Sequence, residues 1–145
     1  ITGAYIYNKM GLTEQVATTI TIATPNPVRR FRFKNLDIEC VKAYCMVYPD
    51  ESLVPYLRLL DAIKDMKRIP GTTGQDIYNR VKSQYFSGYS LPELEKIVSL
   101  AKSYPPRVRK VVADILGDIR QTVLQTEMAK TILPTTRFNL DYKTA

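Results

Sequence analysis

Caps and breaks at short intervals constrain the fold of the C-terminal two thirds of the chain. Apolar residues recur there at three- and four-residue spacing, as on one face of a helix. Ser52, Thr73 with Asp76, and Ser90 with Glu93 are typical of helix N-termini, and proline and glycine pairs end the segments between them. The sequence therefore predicts successive helices with short connections.

The last of these helices begins at Pro105-Pro106 and is predicted to continue to Ile132. We expect an all-α fold, an antiparallel bundle of four to five helices over residues 49–134. Nine apolar residues share the predicted inner faces. The predicted core residues are Leu57, Leu60, Ile63, Val81, Leu94, Val98, Val112, Ile115 and Ile119.

Residues 1–48 lack a sustained helical period, and we interpret them as an extended or helical basic arm that contacts nucleic acid and neighbouring subunits. Residues 12–23 fit a helix, yet Thr18–Ile22 also alternates as a strand does. Asn35 is expected to cap a further helix, with Leu36, Cys40, Tyr44 and Tyr48 along one face. Residues 135–145 are predicted to form a short extended C-terminal tail.

Several functional classes fit this composition poorly. The chain has no histidine, which removes the commonest general base and metal ligand. Cys40 and Cys45 fall on different faces of a helix, and no glycine-rich phosphate loop is present. We predict that the protein is not an enzyme, holds no metal or cofactor, and takes no small-molecule substrate. No apolar run reaches the about 20 residues of a transmembrane helix.

Net charge indicates a polyanionic partner. The chain has 21 Lys and Arg against 14 Asp and Glu, a formal charge of +7 and a pI near 9.4. Basic proteins of this kind bind nucleic acid or anionic surfaces, although a solvated basic surface without a partner has the same composition. We expect a nucleic acid, with double-stranded DNA favoured.

The strongest local signal is the segment Arg29-Arg30-Phe31-Arg32-Phe33-Lys34, in which four cations alternate with two aromatic residues. In an extended chain Arg30, Arg32 and Lys34 would lie on one side and both phenylalanines on the other. Arginine binds phosphate oxygens well, and aromatic rings stack on bases or anchor a strand on protein. The alternative is an edge strand whose charges are solvated.

A second basic group opens the predicted last helix. Arg107, Arg109 and Lys110 oppose the helix dipole at its N-terminus, so a bound phosphate would stabilise them. Alternatively, Asp114 and Asp118 balance these charges from within the helix. We predict all seven cations of the two groups as nucleic-acid-binding residues.

The layout resembles that of the major capsid proteins of filamentous and rod-shaped archaeal viruses. The features in common are the basic arm through Arg29–Lys34, a compact bundle from Ser52 to Ile132, and an Ile-, Val- and Tyr-rich composition without His or Trp. The resemblance implies a structural protein of the virion, assembled in the host cytoplasm. Such subunits coat double-stranded DNA sequence-independently in a helical filament, together with copies of themselves and a paralogous coat protein.

Two other interpretations stay open. One is a small helical subunit of a cellular nucleic-acid machine of the CRISPR-effector type, which would contact RNA or displaced DNA in the cytoplasm. The other is a helical adaptor that binds only protein.

Overall fold

The computed structural model describes residues 1–25, 29–34, 36–44 and 50–145. An N-terminal three-stranded sheet precedes a helical region, so the fold combines α and β structure and the predicted all-α class is wrong. The strands are β1 (Thr19–Thr24), β2 (Arg29–Phe33) and β3 (Leu36–Lys42). The helices are α1 (Ala4–Lys9), α2 (Val54–Lys64), α3 (Gly74–Gln84), α4 (Leu91–Ala101), α5 (Pro106–Asp118) and α6 (Thr122–Ala129).

Strand β3 lies in the middle of the sheet, which has the order β1-β3-β2. β1 runs parallel to β3, with Ile20 opposite Ile38, and β2 runs antiparallel to it, with Phe31 opposite Ile38. β2 and β3 form a hairpin, and Lys34, which follows β2, has a positive φ of 47°. A backbone bridge between Thr2 and Thr21 continues the sheet beyond β1. Strand β2 is therefore the outer strand on the opposite side.

The helix predicted after Asn35 is in fact strand β3, and Asn35 itself lies outside the described residues. Leu36, Ile38 and Cys40 alternate with Asp37 and Glu39, which suits a strand with one apolar face. The same alternation explains β1. Within the ambiguous segment 12–23, the structure has a strand that begins at Thr19.

Two of the predicted helix N-termini are confirmed. The Thr73 hydroxyl accepts a hydrogen bond from the Asp76 amide at 3.1 Å, and Ser90 and Glu93 form a complete capping box at the start of α4. Ser52 does not cap α2. Asp50 instead accepts a hydrogen bond from the Ser52 amide and caps a 3₁₀ turn, Glu51–Leu53, that leads into α2.

The predicted last helix is interrupted. α5 ends at Asp118, and Arg120 adopts a left-handed conformation with φ of 63° before α6 starts at Thr122. The Gln121 amide donates to the Leu116 carbonyl at 2.8 Å and the Arg120 amide to that of Gly117 at 3.0 Å. These two bonds are those of a Schellman C-cap, which turns the chain.

The core lies among the five C-terminal helices and receives residues from the N-terminal segment. Of the nine predicted core residues, seven are buried, while Leu57 and Ile119 are partly buried and pack against the core. Tyr7 and Leu12 are also buried in it, although they belong to the predicted arm. Burial of a leucine or isoleucine side chain contributes about 1.5–3 kcal/mol. The start of the chain is therefore part of the folded body.

Residues 135–145 form neither helix nor strand, and they dock on the helices of the same chain. The Arg107 guanidinium contacts the Asp141 carboxylate at 3.0 Å, and the Tyr142 hydroxyl donates to Asp114 at 2.7 Å. The Ala145 amide donates to the Asp118 carboxylate at 3.1 Å. The Lys143 amide also donates to the Gln75 side chain of α3 at 2.6 Å, so the tail lies across α3 and α5.

Candidate nucleic-acid interface

Strand β2 presents its cations at an open edge of the sheet. All five of its residues are exposed. Arg30 and Arg32 contact Glu39 and Asp37 of β3, each through Nε at 3.8 Å, and the two arginine side chains remain 74% and 68% exposed. Ion pairs this long and this exposed contribute little to stability. The two guanidiniums are therefore free to exchange these carboxylates for phosphate oxygens at small cost.

The predicted separation of charges from rings is only partly right. Arg30 and Arg32 lie on one side of the strand, but Lys34 leaves the strand conformation, and its Nζ lies 5.4 Å from the centre of the Phe33 ring. The Arg29 guanidinium lies 5.0 Å from the Phe31 ring on the same side. Each face of this outer strand therefore has two cations.

The aromatic face of β2 is partly exposed. Phe31 is 39% exposed, Phe33 is 56% exposed, and Leu36, opposite Phe33 on β3, is 50% exposed. Burial of two phenylalanine rings normally stabilises a fold, so rings exposed together with Leu36 form a candidate binding surface. A planar base, a protein or a further part of the chain would each cover them.

The second predicted group, at the start of α5, makes its contacts inside the chain. Lys110 Nζ lies 3.0 Å from the Asp114 carboxylate. Arg109 donates through Nε to the Tyr104 carbonyl at 3.0 Å and through Nη1 to the Thr131 carbonyl. Arg107, as described, pairs with Asp141 of the tail. Asp114 therefore balances the charge of Lys110 from within the helix, as the alternative interpretation of this group expected.

Two adjoining clefts lie between the sheet and the helices. The larger, of about 490 Å³, has Tyr7, Thr19, Glu39, Lys64 and Arg68 in its wall. Burial, followed by the nearby Asp65 carboxylate, raises the pKa of Tyr7 well above its usual value. Its hydroxyl therefore stays protonated and donates to Asp65 at 2.6 Å.

The smaller cleft is the more basic of the two. It has a volume of about 370 Å³, and its described lining includes Lys42, Lys64, Arg68 and Arg107 together with the carboxylate of Asp65. Sequence reasoning missed this group except for Arg107, because the other cations come from β3, α2 and the loop after α2. No local pattern in the sequence connects them.

Within the ranges that the structure describes, no group of three or more His, Cys, Asp or Glu residues is placed to hold a metal ion. Cys40 is buried in β3, and Cys45 lies outside those ranges.

In the same ranges no helix has the length and apolar character needed to cross a membrane.

Comparison of the chain with models of protein families, with curated proteins and with solved structures found no match. The geometry of the site is therefore the basis for assigning a function.

Proposed function

We propose that the protein binds nucleic acid without sequence preference, through phosphate contacts made by the β2 edge. One observation carries this proposal. Three arginines lie on the exposed outer strand and Lys34 follows it directly, and the carboxylates beside Arg30 and Arg32 are 3.8 Å away. Cations held this weakly are available to a polyanion, and phosphate contacts carry no sequence information.

The salt dependence of binding tests the proposal. If Arg29, Arg30, Arg32 and Lys34 each neutralise one duplex phosphate, the logarithm of affinity should fall against the logarithm of salt concentration with a slope of about −3.6 from these residues. Replacement of all four by Gln should remove most of that slope on unrelated sequences alike. Fluorescence anisotropy over a series of salt concentrations measures it.

A matched control separates this site from net charge. The control variant has the same four-charge loss at exposed cations away from β2. Its substitutions are Lys96→Gln, Lys130→Gln, Arg137→Gln and Lys143→Gln. If the two variants lose the same slope, the β2 edge is not the binding site. If the unmodified protein itself shows no salt-dependent binding of DNA, a protein-binding adaptor becomes the better interpretation.

The uncovered rings favour single-stranded nucleic acid as a second candidate ligand. Bases stack on exposed aromatic side chains, and each stacked base contributes about 1–3 kcal/mol. Phe31→Leu with Phe33→Leu should then weaken binding of a single strand and leave duplex binding unchanged. Equal binding of a single strand by the variant and the unmodified protein would exclude stacking on these rings.

Coating of double-stranded DNA as a capsid subunit is a narrower form of the proposal. The resemblance behind it includes an all-helical layout, and the three-stranded sheet departs from that layout. Regular filaments in electron micrographs of the protein mixed with duplex DNA would support this role. Protein that binds the same DNA as dispersed monomers would contradict it.

A further inference from the structure

The smaller cleft is both concave and basic, whereas the β2 edge is basic but exposed on the surface. Its wall consists of the end of β3 with the following Tyr44, the C-terminal end of α2, and the start of α5. Partial burial of a cation reduces its screening by water, which strengthens its attraction for an anion. The side chain of Lys64 is only 17% exposed and that of Arg107 only 25%.

The cations of this cleft are incompletely matched by carboxylates. Lys64 lies 3.8 Å from Asp65, whose other oxygen accepts the Tyr7 hydroxyl. Among the described residues, Lys42 and Arg68 have no carboxylate within ion-pair distance. Asp65 and Asp141 balance part of the charge of the four cations, and the positive charge that remains attracts an anion.

Arg107 adds a second indication. One of its terminal nitrogens bonds to Asp141, but its Nε is buried and has no hydrogen-bond partner among the residues that the structure describes. A buried donor without a partner destabilises the folded state. An arginine whose Nε–H lacks an acceptor is typical of a site in which a bound ligand accepts that hydrogen bond.

An aromatic ring lies beside the charges. Lys42 Nζ lies 5.0 Å and Lys64 Nζ 5.6 Å from the centre of the Tyr44 ring, so two of the four cations contact it. A simple inorganic anion would not stack on an aromatic ring. A nucleotide has both a phosphate that binds the cations and a base that stacks on an aromatic side chain.

We propose that this cleft, formed by Lys42, Lys64, Arg68 and Arg107 around Tyr44, binds the phosphate of a nucleotide unit. The unit is either a free mononucleotide or one residue of a nucleic-acid strand, since both present the same phosphate chemistry. The proposal is independent of the β2 edge, because none of these five residues belongs to that strand.

The variant Lys42→Gln with Arg68→Gln tests it on the full chain. Both side chains are exposed, so the fold should be retained. The probes are AMP and an oligothymidylate strand, with binding measured by isothermal titration calorimetry. We expect affinity for at least one of them to fall about tenfold or more, because each cation makes a charge-assisted bond to the phosphate. Lys130→Gln with Arg137→Gln, which loses the same charge elsewhere, should bind as the unmodified protein does.

The two probes distinguish the source of the phosphate. Loss of AMP binding assigns the cleft to a free nucleotide, and loss confined to the strand assigns it to nucleic acid. Unchanged binding of both probes, or no binding of either by the unmodified protein, overturns the proposal. The variant with Gln at Arg29, Arg30, Arg32 and Lys34, titrated in parallel, should keep AMP binding. The cleft proposal is thus tested by AMP binding, and the β2 proposal by the salt dependence of DNA binding.

Discussion

The ring of Tyr142 stacks on the ring of Tyr78, with ring centroids 4.3 Å apart and planes 9° from parallel. Tyr78 belongs to α3, and the Tyr142 hydroxyl donates to Asp114 of α5. One residue of the tail therefore joins two helices that are separated in the chain by α4.

This contact predicts a graded loss of stability at Tyr142. Tyr142→Ala removes the ring and should lower the free energy of unfolding by about 3–5 kcal/mol. Tyr142→Phe keeps the stack and removes the donor to Asp114, which should cost about 1–2 kcal/mol. Urea denaturation measures both. Equal losses in the two variants would show that the ring itself contributes nothing.

A second prediction concerns the core. Leu60 is fully buried, so Leu60→Ala should destabilise the protein by about 2–5 kcal/mol. Val123 on α6 is 80% exposed, and Val123→Ala should change stability by no more than about 0.5 kcal/mol. The pair of variants, compared by thermal and urea unfolding, checks that α2 faces the core and this part of α6 faces solvent.

Asp61 predicts a pH dependence of stability. Burial raises the pKa of this carboxyl above its usual 3.8, even though the Tyr104 hydroxyl donates to it at 2.7 Å. A raised folded-state pKa means that the stability contribution is complete below the unfolded value and is lost as pH rises through the folded value. The stability of Asp61→Asn relative to the unmodified protein should therefore increase as pH rises from below 3.8.

Asp50 serves as a control, because its carboxyl is expected to contribute to stability with the opposite pH dependence. Hydrogen bonds from Ser52 lower the pKa of its carboxyl, so its contribution should be lost as pH falls through the folded value. Asp50→Asn should then lose stability relative to the unmodified protein as pH rises. Urea titrations across acidic pH compare the two variants, and the same trend for both would contradict the assignment for Asp61.

The left-handed Arg120 predicts a stabilising substitution. A side chain at this conformation costs about 1–2 kcal/mol, part of which glycine recovers. Arg120→Gly should raise the free energy of unfolding by up to about 1 kcal/mol, whereas Arg120→Ala keeps the Cβ atom and should not. A loss of stability in the glycine variant would show that the arginine side chain itself supports the turn.

Helices α3 and α4 could be predicted because their caps are local. Thr73 and Ser90 accept hydrogen bonds from residues three positions ahead, and such spacing is visible in the sequence. The break between α5 and α6 could not be predicted in this way. Apolar residues continue at helical spacing across it, and Arg120 occupies the position where glycine usually marks a helix end.

The sequence did not predict the sheet, because the apolar residues of the segment that forms β3 fit both the helical and the strand period. Leu36, Cys40 and Tyr44 recur at four-residue spacing, as on a helix, while Leu36, Ile38 and Cys40 recur at two-residue spacing, as on a strand. Pairing decides between them, and pairing is not local, since Ile38 aligns with Ile20 on one side and Phe31 on the other.

The candidate site shows the same limit. Arg29, Arg30, Arg32 and Lys34 could be found because they are consecutive or nearly so in the sequence. Nothing in the sequence distinguishes Lys42, Lys64 and Arg68 from other lysines and arginines. They come together only because the fold places β3 and the end of α2 at one cleft. Charge that converges only in three dimensions leaves no sequence motif.

Strand β2 has one side without a strand partner among the described residues, so its outward backbone N–H and C=O groups are open to any extended chain. Edges of this kind recruit strands from neighbouring molecules, and mutual repulsion between lysines and arginines deters such pairing. Two copies of β2 placed side by side in antiparallel fashion would bring Arg30 next to Arg32. The quadruple Gln variant lacks that repulsion and should self-associate and precipitate more readily than the unmodified protein, which light scattering at increasing concentration would reveal.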